Sequence, residues 1–206
     1  RSVNIQDMLY HTEIVANSCQ QALVIADMPF QSYDSRELAL TNAQNLINAG
    51  ADMVKIEGGQ EHEDVFRVLS ANNINVCGHL GLQPQMVTES SEYKIQGKDE
   101  NSAGLILSDA LLLESLGISS LVLECIPSAL AKEVSSKLNI PTIGIGAGKD
   151  CDGQVLVCYD MLGITQGKLP RFVRNFVSTE GTIPLAIRAF VKEVKAGKFP
   201  STNESY

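Results

Sequence analysis

Met53-Val54-Lys55-Ile56-Glu57-Gly58-Gly59 is the stretch on which the fold turns. Val54 and Ile56 alternate with Lys55 and Glu57, and in a strand residues two apart share a face. The aliphatic pair is therefore expected to face a helical layer. The lysine and the glutamate share the opposite, interior face, close to the strand's end. Other apolar runs surround this one: 22–26, 74–77, 121–123, 141–145 and, as a sixth, Val155-Leu156-Val157-Cys158. Runs this rich in Val, Ile and Leu fit strands covered on both faces, as in a parallel sheet.

Helical patterns separate the runs. Residues 34–50 carry Asp34 as a cap, Glu37 at the third helical position and Gly50 as a stop, with Ala39, Ala43, Leu46 and Ile47 on one face. Residues 61–70, 102–116 and 128–138 repeat the theme, and residues 5–15 predict an amphipathic helix ahead of the first run. A final helix is expected over 182–196, with Ile183, Ile187, Phe190 and Val194 inward, followed by a frayed tail after Pro200. This alternation predicts an α/β fold with right-handed crossovers. No G-x-G-x-x-G follows the first run, which disfavours a doubly wound dinucleotide-binding sheet. Polar residues at nearly every strand end favour a (β/α)8 barrel, whose chemistry gathers at that rim. A complete barrel needs eight strands in typically ~250 residues, so two strand units are expected to be missing.

Composition narrows the function. The 206 residues are 44% hydrophobic and 19% charged, and 16 Lys+Arg against 24 Asp+Glu give a formal net charge of −8. Such a chain builds a packed core, and its acidity argues against binding nucleic acid. No apolar run approaches the roughly 18–20 residues that span a bilayer. The five cysteines, Cys19, Cys77, Cys125, Cys151 and Cys158, form no C-x-x-C pair, so zinc ribbons and dithiol redox motifs are unsupported. Cys77 and Cys125 read as buried thiols of a reducing compartment.

The acids carry the chemical signal. Asp27 directly follows its apolar run, Glu124 follows Leu121-Val122-Leu123, and Glu57 stands beside Lys55. Lys55 and Glu57 alone would read as an internal ion pair. Two further carboxylates at equivalent strand ends leave surplus negative charge, which costs several kcal/mol to bury unless an ion compensates it. Carboxylate oxygens without clustered Cys or His favour a hard divalent cation, Mg²⁺ first. His79 ends the third run and is read as touching substrate or standing just behind it. His11 and His62 read as ordinary helix residues. Gly144-Ile145-Gly146-Ala147-Gly148 fits either a ligand-approaching turn or close packing, and Lys94 and Lys98 lie in a long 83–101 connection.

These residues resemble a known family. Ala26-Asp27-Met28-Pro29-Phe30, Val54-Lys55-Ile56-Glu57-Gly58-Gly59, Gly78-His79-Leu80-Gly81-Leu82-Gln83-Pro84-Gln85, Leu123-Glu124-Cys125-Ile126-Pro127 and Gly144-Ile145-Gly146-Ala147-Gly148 are similar to ketopantoate hydroxymethyltransferases. Asp152-Gly153-Gln154 and residues 168–176 extend the likeness. The resemblance implies a (β/α)8 TIM barrel of the phosphoenolpyruvate mutase/isocitrate lyase type, here one domain over 1–206 with a closing helix and tail over 178–206. It implies hydroxymethyl transfer from methylenetetrahydrofolate to 3-methyl-2-oxobutanoate in cytoplasmic pantothenate biosynthesis, on the route to coenzyme A, by a homodecamer that uses Mg²⁺. Matched motif by motif, Asp27 and Glu57 are metal-site acids, Asp27 and Lys55 touch the substrate, and Glu124 accepts a proton. The family also carries a Gly-Asp-Ser motif after its second strand. Its Asp is a further metal-site acid of the family, and its Ser binds substrate. That motif is absent from this sequence, which opens on Arg1-Ser2-Val3-Asn4 with neither an initiator Met nor a signal-peptide core, as expected of a fragment or of a truncated chain. Ser91-Glu92 stands where the family usually has glycines. The rival readings are a Mg²⁺-dependent C–C lyase or mutase acting on a 2-oxo acid, and a non-catalytic barrel serving as an assembly subunit.

Overall fold

A computed structural model describes residues 2–87 and 93–206. Six strands, β1 (Ile25–Asp27), β2 (Met53–Glu57), β3 (Val76–Gly81), β4 (Ser120–Glu124), β5 (Thr142–Ile145) and β6 (Gly153–Gln154), form one sheet in sequence order. Every pairing is parallel, with Asp27 opposite Lys55, Glu57 opposite His79 and Gly81 opposite Glu124. Helices α1 (Ile5–Ser18), α2 (Arg36–Asn48), α3 (Glu63–Ala71), α4 (Glu100–Ser115) and α5 (Ser128–Lys137) precede or connect the first five strands. Short α6 (Cys158–Met161) and α7 (Val177–Glu180) lead to α8 (Ile183–Lys195). Among the described residues this is an open parallel half-barrel with β1 and β6 at its edges.

The alternation in β2 divides the core as expected. Val54 and Ile56 join Leu121, Leu123 and the helix residues Leu46, Phe66, Leu69 and Leu113 in the main buried cluster. Each large aliphatic side chain removed from water there contributes about 1.5–3 kcal/mol. Met53, Cys77, Val122 and Ile145 face the other way and pack with Leu82, Cys125 and Phe172 in a second cluster lining the concave side. Cys77 and Cys125 are buried free thiols, and Cys158 is exposed.

Local chemistry sets the helix ends. The cap of α2 is Ser35, one position after the expected Asp34: its hydroxyl accepts from the Leu38 N–H at 3.2 Å. Both residues are cap-competent, so chemistry alone does not choose between them. Gly50 stops the helix with φ +106°. Before α3 runs a 3-10 turn, Gln60–His62, whose first N–H is accepted by Asp109 of α4 at 3.3 Å. That carboxylate leaves no room for a side chain at Gly59.

Three further expectations need correction. The sixth run, 155–158, is not a strand: β6 is Gly153–Gln154, and Val155 makes one last bond to the Gly144 carbonyl at 3.0 Å. Strand β5 ends at Ile145 and the chain turns at Gly146 with φ +64°, so no ladder remains for Leu156 onwards. On α8, Phe190 and Val194 pack with Phe176, Phe199 and Met161, but Ile183 and Ile187 are exposed. The tail after Pro200 is anchored rather than frayed. Glu204 receives Arg174 Nε and Nη2 at 2.6 Å each, and Ser128 donates its N–H and hydroxyl to the Tyr206 backbone oxygen at 2.9 and 2.7 Å. The Arg174 guanidinium lies 5.1 and 5.0 Å from the Phe176 and Phe199 ring centres and also meets Glu193 at 2.5 Å. No helix among the described residues is long and apolar enough to cross a membrane.

Burial would raise the Glu204 carboxyl, but Arg174 and the Ser201 N–H and hydroxyl outweigh it and hold it below its ordinary value. A depressed carboxyl contributes stability above its unfolded pKa of about 4.3 and loses it as pH falls through the folded value. Glu204→Gln should therefore lower unfolding free energy by about 1–2 kcal/mol at neutral pH, with the gap closing below about pH 4. Urea denaturation across pH checks this; a gap independent of pH would contradict it.

Candidate active site

The C-terminal ends of β1 to β4 deliver five polar side chains to one hollow. Asp27 ends β1, Lys55 and Glu57 come from β2, His79 from β3, and Glu124 ends β4. All five line a cavity of about 630 Å³ on the concave side of the sheet. Its walls differ. Strands β1 to β3 supply the charges, while Val122, Ile143, Ile145, Val155 and Leu156 supply an aliphatic wall, with Glu124 at the seam.

Lys55 is the hub of the cluster. Its Nζ stands 3.1 Å from Asp27 Oδ1, 4.0 Å from Glu57 Oε1 and 3.5 Å from His79 Nδ1. Burial works to lower its pKa, but the neighbouring carboxylates of Asp27 and Glu57 prevail and hold it above the usual lysine value. Glu57 is 5% exposed, and burial pushes its carboxyl up against the opposing pull of His79, the Gln85 N–H and Lys55. Asp27, about half exposed, forms the wetter side of the group.

His79 stands between two acids. Its Nδ1 is 3.7 Å from Glu57 Oε1 and its Nε2 is 3.0 Å from Glu124 Oε2. The second contact lacks hydrogen-bond alignment, which leaves Nε2 as a buried polar atom without a directed partner. Such an atom is costly unless another group completes it. The backbone behind Glu124 is equally constrained. Cys125 adopts φ +49°, donates its N–H to the Ile145 carbonyl at 2.9 Å and accepts the Gln96 N–H at 2.8 Å. Burial, helped by the Glu124 charge, pushes the Cys125 thiol up to about 12, so it is no nucleophile at neutral pH.

No three His, Cys, Asp or Glu side chains among the described residues group as a metal cage. Two carboxylates, Asp27 and Glu57, nevertheless open on the same cavity. One or two carboxylates, with water and substrate oxygens completing the shell, is how Mg²⁺ is usually held. The donor chemistry fits that ion.

The remaining sequence candidates sort plainly. His62 packs edge-on against Tyr33, with centres 5.1 Å apart, and His11 is an exposed helix residue beside Tyr10. The glycines of 144–148 serve packing: a side chain at Gly146 would strike Phe172, and one at Gly148 would strike Ser128. Lys94 and Lys98 are solvated. Ser91-Glu92 lies outside the described residues. Sequence reasoning missed Tyr33 and Gln85, which reach the Glu57 region from other loops. The only signal for Gln85 was its place in the Gly81-Leu82-Gln83-Pro84-Gln85 motif.

A parallel half-barrel with a lysine among carboxylates at its strand ends places the chain in the α/β class, with its polar cluster on the concave side of the sheet. The family model for ketopantoate hydroxymethyltransferase matches residues 1–202. Curated relatives named 3-methyl-2-oxobutanoate hydroxymethyltransferase are 55% identical in Vesicomyosocius okutanii, over 99% of this chain and 78% of theirs, and 56% in Ruthia magnifica, over 100% and 79%. The chain belongs to the ketopantoate hydroxymethyltransferase family, a family of transferases. Solved structures share the fold at low identity. An oxaloacetate acetylhydrolase in complex with 3,3-difluorooxalacetate aligns at TM-score 0.53 and 12% identity, over 69% of this chain and 52% of its own. Orotidine 5'-monophosphate decarboxylase from Methanocaldococcus jannaschii aligns at 0.51 and 17%, over 75% and 74%.

Gly81 ends β3 opposite Glu124 with φ +94°, and a Cβ there would meet the Glu124 carbonyl and Ile126. Gly81→Ala should cost about 2 kcal/mol or more in urea denaturation, with activity falling further than stability as the Glu124 strand end shifts. An unchanged urea midpoint would refute that reading of Gly81.

Proposed function

We propose that the chain transfers a hydroxymethyl group from methylenetetrahydrofolate to 3-methyl-2-oxobutanoate, giving 2-dehydropantoate in pantothenate biosynthesis. The observation that carries this reading is the convergence of three carboxylates, Lys55 and His79 on one cavity with an aliphatic far wall. A branched 2-oxo acid has matching polarity. Its keto and carboxylate oxygens suit the Lys55 side, and its methyl groups suit Val122, Ile143 and Ile145. That orientation brings the C3–H to the seam, beside Glu124.

Asp27 and Glu57 would hold Mg²⁺, which when bound supplies Lewis-acid polarisation of a keto oxygen. Lys55, kept charged by its two carboxylate neighbours, offsets the negative charge of the oxo acid. Glu124 accepts the C3 proton, and C3 bonds to the one-carbon unit as both of that unit's bonds to folate nitrogen break. A water molecule supplies the hydroxyl, and the two nitrogens take up the C3 proton and the water's second proton as tetrahydrofolate leaves. The closeness of His79 Nε2 to Glu124 limits where the carboxylate can turn.

The same reading extends to architecture. The open edges of β1 and β6 present unpaired backbone groups, a liability that closure removes. We infer that two further βα units, not among the six described strands, close the sheet into a (β/α)8 barrel, of which 1–206 is a single, incomplete domain with 178–206 as its C-terminal helix and tail. A cytoplasmic homodecamer is the assembly the family implies. The exposed row of Ile183, Ile187 and Val191 on α8 is the kind of surface that self-association covers.

Glu124→Gln should slow solvent exchange of the C3 proton of 3-methyl-2-oxobutanoate by about 10²–10⁴-fold, read by deuterium NMR. Near-normal exchange would remove Glu124 as the base. Asp27→Asn and Glu57→Gln should each weaken Mg²⁺ binding in calorimetry. Unchanged affinity in both would remove them from the metal site.

A further inference from the structure

Glu57 carries one tie that the proposed chemistry does not use. Its Oε2 accepts the backbone N–H of Gln85 at 3.0 Å, while Oε1 faces Lys55 and His79. Gln85 belongs to the segment after β3, and its side chain is itself fixed at both ends. Its Nε2 donates to the Met28 carbonyl at 2.9 Å, and its Oε1 accepts the Tyr33 hydroxyl at 3.1 Å. A flipped amide would set oxygen against oxygen at Met28, so the hydrogen-bond pattern defines one orientation. Met28 and Tyr33 are buried residues of the segment after β1. Gln85 thus joins the loops after β1 and β3 across β2, the strand that delivers Glu57.

We propose that Gln85, anchored by Tyr33 and Met28, is a positioning residue that fixes the Glu57 carboxylate rotamer so that Oε1, the oxygen not tied to Gln85, is presented to the cation beside Lys55 and His79. The inference rests on the reading of Glu57 as a metal carboxylate. Tying one oxygen to a fixed donor removes the rotational freedom that binding would otherwise have to quench. Partners standing behind metal ligands typically govern affinity by about 10–100-fold. The Tyr33 hydroxyl has a long 3.4 Å contact to the Glu57 carbonyl, but its shorter bond, 3.1 Å, holds the Gln85 amide oxygen, and the amide holds the loop whose N–H reaches Glu57.

The test is Mg²⁺ titration calorimetry on the purified protein, with Mn²⁺ electron paramagnetic resonance as a second binding readout and the metal-free thermal midpoint beside it. Gln85→Met keeps the volume and the backbone N–H but loses both side-chain anchors. It should weaken Mg²⁺ binding by about 10–100-fold while moving the metal-free midpoint by only a few degrees. Tyr33→Phe should weaken binding in the same direction by less, and should add little on top of Gln85→Met, because both act through one amide. Mg²⁺ affinity of Gln85→Met within about twofold of the unsubstituted protein, with Glu57→Gln clearly impaired, overturns the positioning role while leaving the site intact. Additive effects of Tyr33→Phe and Gln85→Met overturn the shared route. Unimpaired binding by Glu57→Gln overturns the metal reading itself, and this inference with it.

Discussion

The ammonium of Lys55, held 3.1 Å from Asp27 and 4.0 Å from Glu57, is the interaction on which the site depends. A lysine buried without partners loses its proton; this one is kept charged by its neighbours. It does not neutralise them, because Glu57 and Glu124 are both buried and Asp27 makes a third acid. An interior with more carboxylates than cations is expensive to fold. Such expense persists where the surplus is used, and a cation with an anionic chelating substrate uses it directly.

The fold makes the cluster through register. Parallel pairing sets Asp27 beside Lys55 and Glu57 beside His79, so neighbouring strands stack their polar residues at one end of the sheet. Gly81 opposite Glu124 and the left-handed turn at Cys125 complete the rim where β3 and β4 finish. The helical layer outside is ordinary aliphatic packing. Its contribution to function is rigidity: Val54 and Ile56 are fully buried, so Lys55 and Glu57 between them have little freedom to drift.

Much of this was legible because strand chemistry has a short period. Lys55 and Glu57 two apart announce a shared face, and an acid just past an apolar run announces a strand end. What stayed hidden depends on distant pairing. Gln85 meets Glu57 across 28 positions and Tyr33 across 52, and no local pattern records either contact. The tail after Pro200 looked polar and loose, yet Arg174 draws Glu204 back across 30 positions. The sixth run looked like a strand because composition records propensity, whereas the ladder ends where β5 turns away at Gly146. On α8 the period was right, but half of its apolar residues face outward because nothing among the described residues covers them.

If surplus carboxylate charge is what the cavity offers, cation and oxo acid should stabilise the protein as a pair. The decisive measurement is thermal denaturation with Mg²⁺ alone, with 3-methyl-2-oxobutanoate alone, and with both at the same concentrations. The account predicts that the two together raise the midpoint by more than their separate shifts combined, since each ligand completes the other's site. Strictly additive shifts, or none, would contradict it.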